Sequence, residues 1–107
     1  MKVDLGPIDR LPDSRGVRFD LGRHRVAVFR LGEEIVAIGD RCSHAEASLS
    51  EGEVFDGAVE CPRHGSEFDL RTGEALNLPA TKPVPIYQVT VEDGTAYLTL
   101  EEECTPP

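Results

Sequence analysis

The fifteen residues IYQVTVEDGTAYLTL, at positions 86–100, constrain the fold more than any other stretch of the chain. β-Branched and aromatic residues fill both arms, and an Asp-Gly pair sits between them, which is the strongest short-range signal for a β-hairpin. The same grammar occurs earlier, where RVAVFR from Arg25 is followed by the turn signal LGEE and a second apolar run, IVAIGD. A second hairpin is expected there. Shorter strand candidates lie at Gly16–Asp20, Glu53–Phe55, Ala58–Glu60 and Ser66–Asp69, each bounded by Gly, Pro or Asp-rich turns. No segment has a sustained helical period, although AEASL could form one helical turn. Many short strands at this spacing imply an all-β domain, an antiparallel sandwich or small barrel.

With 107 residues the chain is long enough for one core and too short for a separate substrate domain. A single domain over 1–107 is expected, with the acid-rich, proline-ended stretch EEECTPP at 101–107 as a solvated tail. Twenty acidic against eleven basic residues give a formal charge of −9 and a pI near 4.7. Such a balance argues against nucleic acid or an anionic membrane as partner and favours basic protein surfaces. The N-terminal MKVDLGPIDRLPDS lacks the apolar run of a signal peptide, and no window approaches membrane-spanning length. The expectation is a soluble, cytoplasmic monomer.

Three cysteines are an odd number at spacings that do not describe a disulfide framework, and reduced thiols suit a cytoplasmic setting. Cys104 falls in the tail and reads as a bystander. The other two lie in mixed motifs: CSH at 42–44, and CPRHGS at 61–66. Both follow strand candidates, so two loops at one end of a β-scaffold could converge on one centre. LNLPATKPVP supplies a third loop, restrained by its three prolines. Each ligand loop offers one thiolate and one imidazole. A single tetrahedral zinc would accept all four. A binuclear centre accounts more naturally for the interleaving, since both cysteines can hold one iron and both histidines the other, with two sulfides bridging.

The run from CSHAEASLSEGEV through CPRHGSEFDLRTG to the proline loop resembles Rieske-type ferredoxins: C-x-H, sixteen intervening residues, C-x2-H, then FD-x-x-TG. The resemblance extends over about residues 25–100. It implies a Rieske-type antiparallel β-sandwich or small barrel, with a cluster-binding subdomain at about 40–80 built from two ligand loops and a proline loop. It further implies one [2Fe-2S] cluster per chain, with Cys42 and Cys61 on the inner iron and His44 and His64 on the outer one. Pro62 and Gly65 would shape the second loop, Leu78–Pro79 would cover the cluster, and the Ser66 hydroxyl would point at a bridging sulfide. Ser66 could instead be a turn hydroxyl bonding its own backbone.

Two thiolates against two ferric ions and two sulfides leave an oxidised cluster with no net charge, whereas four thiolates leave it doubly negative. Histidine ligation therefore raises the potential, to roughly −150 to +300 mV against about −400 mV for plant-type ferredoxins. Respiratory members of the family differ from this chain in carrying a disulfide between the two loops, at the positions of Ala47 and Arg63, and a tyrosine at that of Phe68. One hydrogen bond to the cluster is accordingly missing, and a potential in the lower half of the range is expected.

Outside the motifs only His24 remains, which reads as an ordinary surface residue and cannot by itself supply a mononuclear iron triad. The chain is therefore expected to be an electron-transfer component rather than an enzyme. By resemblance, the electron passes from a flavin-dependent reductase to a terminal oxygenase such as a Rieske non-haem iron aromatic-ring dioxygenase. Ferredoxins associated with iron–sulfur cluster assembly share the same combination of motifs. A zinc-stabilised interaction module and a redox-sensing subunit are readings of other classes.

Overall fold

The computed structural model describes residues 2–13, 15–22, 24–41, 47–63, 65–77 and 82–100. Among the described residues nine strands run in chain order as β1 (Lys2–Pro7), β2 (Gly16–Leu21), β3 (His24–Leu31), β4 (Glu34–Gly39), β5 (Val54–Phe55), β6 (Ala58–Glu60), β7 (Glu67–Asp69), β8 (Ile86–Glu92) and β9 (Thr95–Thr99). Six form one sheet in the order β1-β9-β8-β4-β3-β2, and β5-β6-β7 form a second, all pairings being antiparallel. The smaller sheet occupies the chain between β4 and β8.

Both expected hairpins are present. Leu31 pairs with Glu34 and Glu92 with Thr95, so each turn has two residues. In the second turn Asp93 and Gly94 have φ of 51° and 78°, the doubly left-handed pairing that matches the twist of the flanking strands. A second Asp-Gly turn, Asp56-Gly57, closes β5 onto β6 in the same way, with Phe55 opposite Ala58. The expected helical turn at AEASL falls partly outside the described residues. A short 3₁₀ turn at Leu49–Glu51 takes only its last residue, and residues 45 and 46 lie outside the described ones.

The run Val26–Phe29 in β3 is wholly buried, because this strand carries core on both faces. Val26 and Val28 pack with Leu5, Ile35, Ala96 and Leu98. Ala27 and Phe29 pack with Ile38, Leu49, Val59, Cys61 and Phe68. Strands β1 and β9 thus share a core with β3 and β4, although β8 intervenes in the sheet. That is possible only if the sheet curls on itself, and β4 and β8 are paired at just Ala37↔Tyr87 and Ile38↔Ile86. The second core joins the two sheets. Each large apolar side chain buried there contributes about 1.5–3 kcal/mol.

β1 was not legible as a strand. Only Leu5 of its six residues is buried, Gly6 interrupts the register with a bulge, and Pro7 ends it. It is extended because it completes the edge of β9. No helix among the described residues is long and apolar enough to cross a membrane.

Candidate metal centre

CPRHGS is the loop of a hairpin. β6 and β7 pair through Glu60↔Glu67, and residues 61–66 connect them. The Cys61 N–H donates to the Ser66 carbonyl at 2.6 Å, and the Gly65 N–H donates to the Cys61 carbonyl at 3.1 Å. The first bond carries the ladder one step into the loop; the second closes a turn inside it. Gly65 makes this possible with a φ of +79°, a conformation that a side chain would strain. Pro62 and Arg63 are exposed at the tip, whereas Cys61 and Ser66 are 1% and 0% exposed at the neck. The loop therefore presents a soft sulfur donor against an apolar wall of Leu49, Val59, Phe68 and Leu70. His64 lies outside the described residues.

The first ligand loop starts and ends at a second neck. Arg41 forms an antiparallel bridge with Ser48. Behind it, Asp40 is fully buried at the end of β4. Its carboxylate accepts hydrogen bonds from Ser48 Oγ, at 2.8 Å to Oδ1 and 2.6 Å to Oδ2, and from the Ser50 N–H at 2.9 Å. Cys42 and His44 fall on the segment between these anchors, outside the described residues. Ala47, in the place of one disulfide cysteine, packs against the same core as Cys61. The close approach of the two necks is visible at Gly52, where a Cβ would run into the Glu60 carbonyl.

The proline loop is pinned at both ends. Asn77 Oδ1 accepts the Glu67 N–H at 2.7 Å, beside Ser66, and the Leu76 N–H donates to the Glu67 carbonyl at 2.7 Å. At the far end the Val84 N–H donates to Gly73, and the Pro85 carbonyl accepts from Gly39 at the end of β4. Leu78 and Pro79 lie outside the described residues. All three loops leave the scaffold from the same joint between the sheets.

Two charge relationships lie along these strands, the first at the ends of β4 and β7 remote from the ligand loops and the second at the base of one of them. Arg71, just after β7, makes a bidentate pair with Glu34 of β4, at 2.6 and 3.2 Å. The hydrogen bond from Arg71 holds the Glu34 carboxyl below its usual value, against an opposing effect of desolvation and with further help from the Arg71 charge. Glu60 and Glu67 face each other at the base of the CPRHGS loop, two like charges on one rung. His24 is not the free surface residue expected. It is half-buried, packed edge-on against Tyr87, with Nδ1 3.3 Å from the phenol oxygen. Burial raises the Tyr87 pKa.

Of the five residues singled out in the sequence, Cys61 and Ser66 are brought together at one neck. The described portion fits a metal centre, since it offers a buried soft donor, a glycine-formed turn and a fully buried serine beside it. Asp40 escaped the sequence reading. Its only signal was a lone carboxylate ending the apolar run IVAIG, two residues before the first cysteine.

Residues 1–88 match the Rieske [2Fe-2S] domain family. Over 97 residues, 90% of this chain and 91% of the relative, the sequence is 48% identical to the 3-phenylpropionate/cinnamic acid dioxygenase ferredoxin subunit of Photorhabdus laumondii. The ferredoxin of carbazole 1,9a-dioxygenase from Nocardioides aromaticivorans superposes with a TM-score of 0.91 at 34% identity, covering 94% of this chain and 99% of that one. A chain from a complex of reduced oxygenase and oxidized ferredoxin in carbazole 1,9a-dioxygenase matches with a TM-score of 0.85 at 32% identity, covering 91% and 100%.

Proposed function

Because the chain belongs to the Rieske [2Fe-2S] domain family, we propose that it is a one-electron carrier whose cluster is held by Cys42, His44, Cys61 and His64. The cluster supplies a single reversible electron at a higher potential than an all-cysteine centre would. The chain's own residues do the rest. Cys61 offers its sulfur from inside the core, which limits water at the inner side of the site. The Cys61–Ser66 hydrogen bond fixes the loop that carries His64, and Asp40 fixes the return of the loop that carries Cys42 and His44. In this reading the Ser66 hydroxyl donates toward a cluster sulfur.

The observation that carries this reading is the tied CPRHGS hairpin, with a buried free cysteine at its neck, beside the pinned ends of the two other loops. The relatives are ferredoxin subunits named with aromatic dioxygenases, and one solved relative is a ferredoxin complexed with an oxygenase. On that support the acceptor of this chain is a terminal oxygenase acting on an aromatic acid or ring, and its donor is a flavin-dependent reductase. A reducing, cytoplasmic setting suits a cysteine that is kept out of a disulfide and available to bind metal.

The test is spectroscopic first and functional second. The purified protein should be reddish-brown, contain two irons and two acid-labile sulfides per chain, and give a rhombic paramagnetic signal on reduction. A colourless protein carrying one zinc would overturn the reading. Turnover of an aromatic dioxygenase, reconstituted with reductase and this chain, should stop when the chain is left out.

A further inference from the structure

Asp40 is not a ligand, yet it sits fully buried two residues before Cys42. On one side it takes the hydrogen bonds of Ser48 and Ser50 already described. On the other, Arg25 Nη2 lies 3.4 Å and Arg18 Nε 3.9 Å from Oδ2. The main chain doubles the link, because the Asp40 N–H donates to the Arg25 carbonyl at 2.9 Å and the Leu49 N–H donates to the Asp40 carbonyl at 2.6 Å. Arg25 is set there by the β3–β4 register, in which its neighbour Val26 pairs with Gly39. Asp40 thus joins the exit of β4 to the return of the ligand loop, with guanidinium groups behind it.

A staple alone needs no charge. A neutral acceptor could take the bonds from Ser48 and Ser50, without the cost of burying a carboxylate that must then be paired. The charge has a consequence where it stands. Two residues of chain reach at most about 7 Å, well within the distance over which buried charges act on one another. A negative group there opposes the arrival of an electron, and a positive one favours it. We infer that Asp40 and Arg25 form a charge pair that both holds the Cys42–His44 loop and sets the reduction potential, the carboxylate lowering it and the guanidinium raising it. This inference rests on the ligand assignment proposed above. Asp40 is a positioning residue, acting through the loop and its field.

The test compares Asp40→Asn, Arg25→Gln and Ser48→Ala in the cluster-loaded protein by voltammetry, paramagnetic resonance and amide hydrogen exchange. Asp40→Asn should raise the potential and Arg25→Gln should lower it. Ser48→Ala keeps both charges, so it should move the potential less than either while speeding exchange at the Ser50 amide by about tenfold, the effect of losing roughly one hydrogen bond's net support. A purely structural role predicts no such opposition of sign. Shifts of Asp40→Asn and Arg25→Gln in the same direction, or none, overturn the inference. If Asp40→Asn fails to hold its cluster, Arg25→Gln decides alone, and a potential at or above that of the unmutated protein overturns it. An unmutated protein without a histidine-ligated cluster would sink the ligand assignment and this inference together, whereas a normal starting spectrum with unshifted variants sinks this inference only.

Discussion

Cys61 and Ser66 are joined across the neck of their loop by a backbone hydrogen bond of 2.6 Å, and both side chains are withdrawn from solvent. The proposed ligand and its neighbouring serine are thereby held in fixed relation, which is what a donor aimed at a cluster sulfur requires. Loss of such a donor destabilises the reduced state, where the extra negative charge resides. Ser66→Ala should therefore lower the midpoint potential, and Phe68→Tyr, which adds a hydroxyl at a fully buried position of β7, should raise it. Each shift should be on the order of 60–120 mV, the one-electron equivalent of roughly 1.5–3 kcal/mol for a hydrogen bond to a charged group. Protein-film voltammetry reads both, and reversed signs would refute the account.

Gly52 marks the contact between the two ligand-loop necks. A Cβ there would meet the Glu60 carbonyl oxygen, a backbone atom at the end of β6 that cannot rotate aside. Gly52→Ala should cost about 1–3 kcal/mol, as overpacking of a tight site usually does. The stability loss should appear as a lower denaturation midpoint. Faster release of iron should accompany it, because the displaced strand ends at Glu60 and leads directly into Cys61.

Local signals explain how much could be read without coordinates. The hairpin at 86–100 was legible because alternation and an Asp-Gly turn agree, and Asp93 and Gly94 adopt the backbone that such a turn needs. The motif loops were legible because C-x-H and C-x2-H are rare as a pair, and the second of them connects β6 to β7 of the smaller sheet. Contacts distant in sequence were not legible. β1 depends on β9, ninety-odd residues away, with Lys2 opposite Thr99. The meeting of Asp40 with Arg25 depends on strand register, and that of Arg71 with Glu34 on how the two sheets pack. His24 gave no sign that Tyr87 would cover it.

The Glu34–Arg71 pair links β4 to the turn after β7 across the surface, and its contribution must depend on pH. Glu34 binds its proton less readily folded than unfolded. Its stabilisation is therefore complete above the ordinary carboxylate range and disappears as pH falls through the lowered folded value. Both groups are exposed, so water and salt screen the effect. Thermal unfolding of the unmutated protein and Glu34→Gln should differ slightly near neutral pH and low salt, and the difference should vanish in acid. A gap that widens in acid would contradict the assignment.

Glu60 and Glu67 occupy one rung of the β6–β7 ladder, where like charges repel at close range. Glu60→Gln should relieve this and stabilise the fold by roughly 0.2–1 kcal/mol. The same pair flanks the loop from which the electron would leave, in a chain whose net charge is −9. Acidic groups in that position speed encounter with a basic surface, an effect that salt suppresses. Stopped-flow oxidation of the reduced protein by a basic cytochrome should accordingly slow as ionic strength rises, because the screening distance contracts from about 10 Å at 0.1 M to about 3 Å at 1 M. Glu60→Gln/Glu67→Gln should react more slowly at low salt and depend less on it, converging on the unmutated rate at high salt. A more stable protein that transfers electrons more slowly is the expected signature of charges retained for encounter rather than for folding. Equal rates and salt slopes for the two proteins would show that these glutamates do not steer the partner.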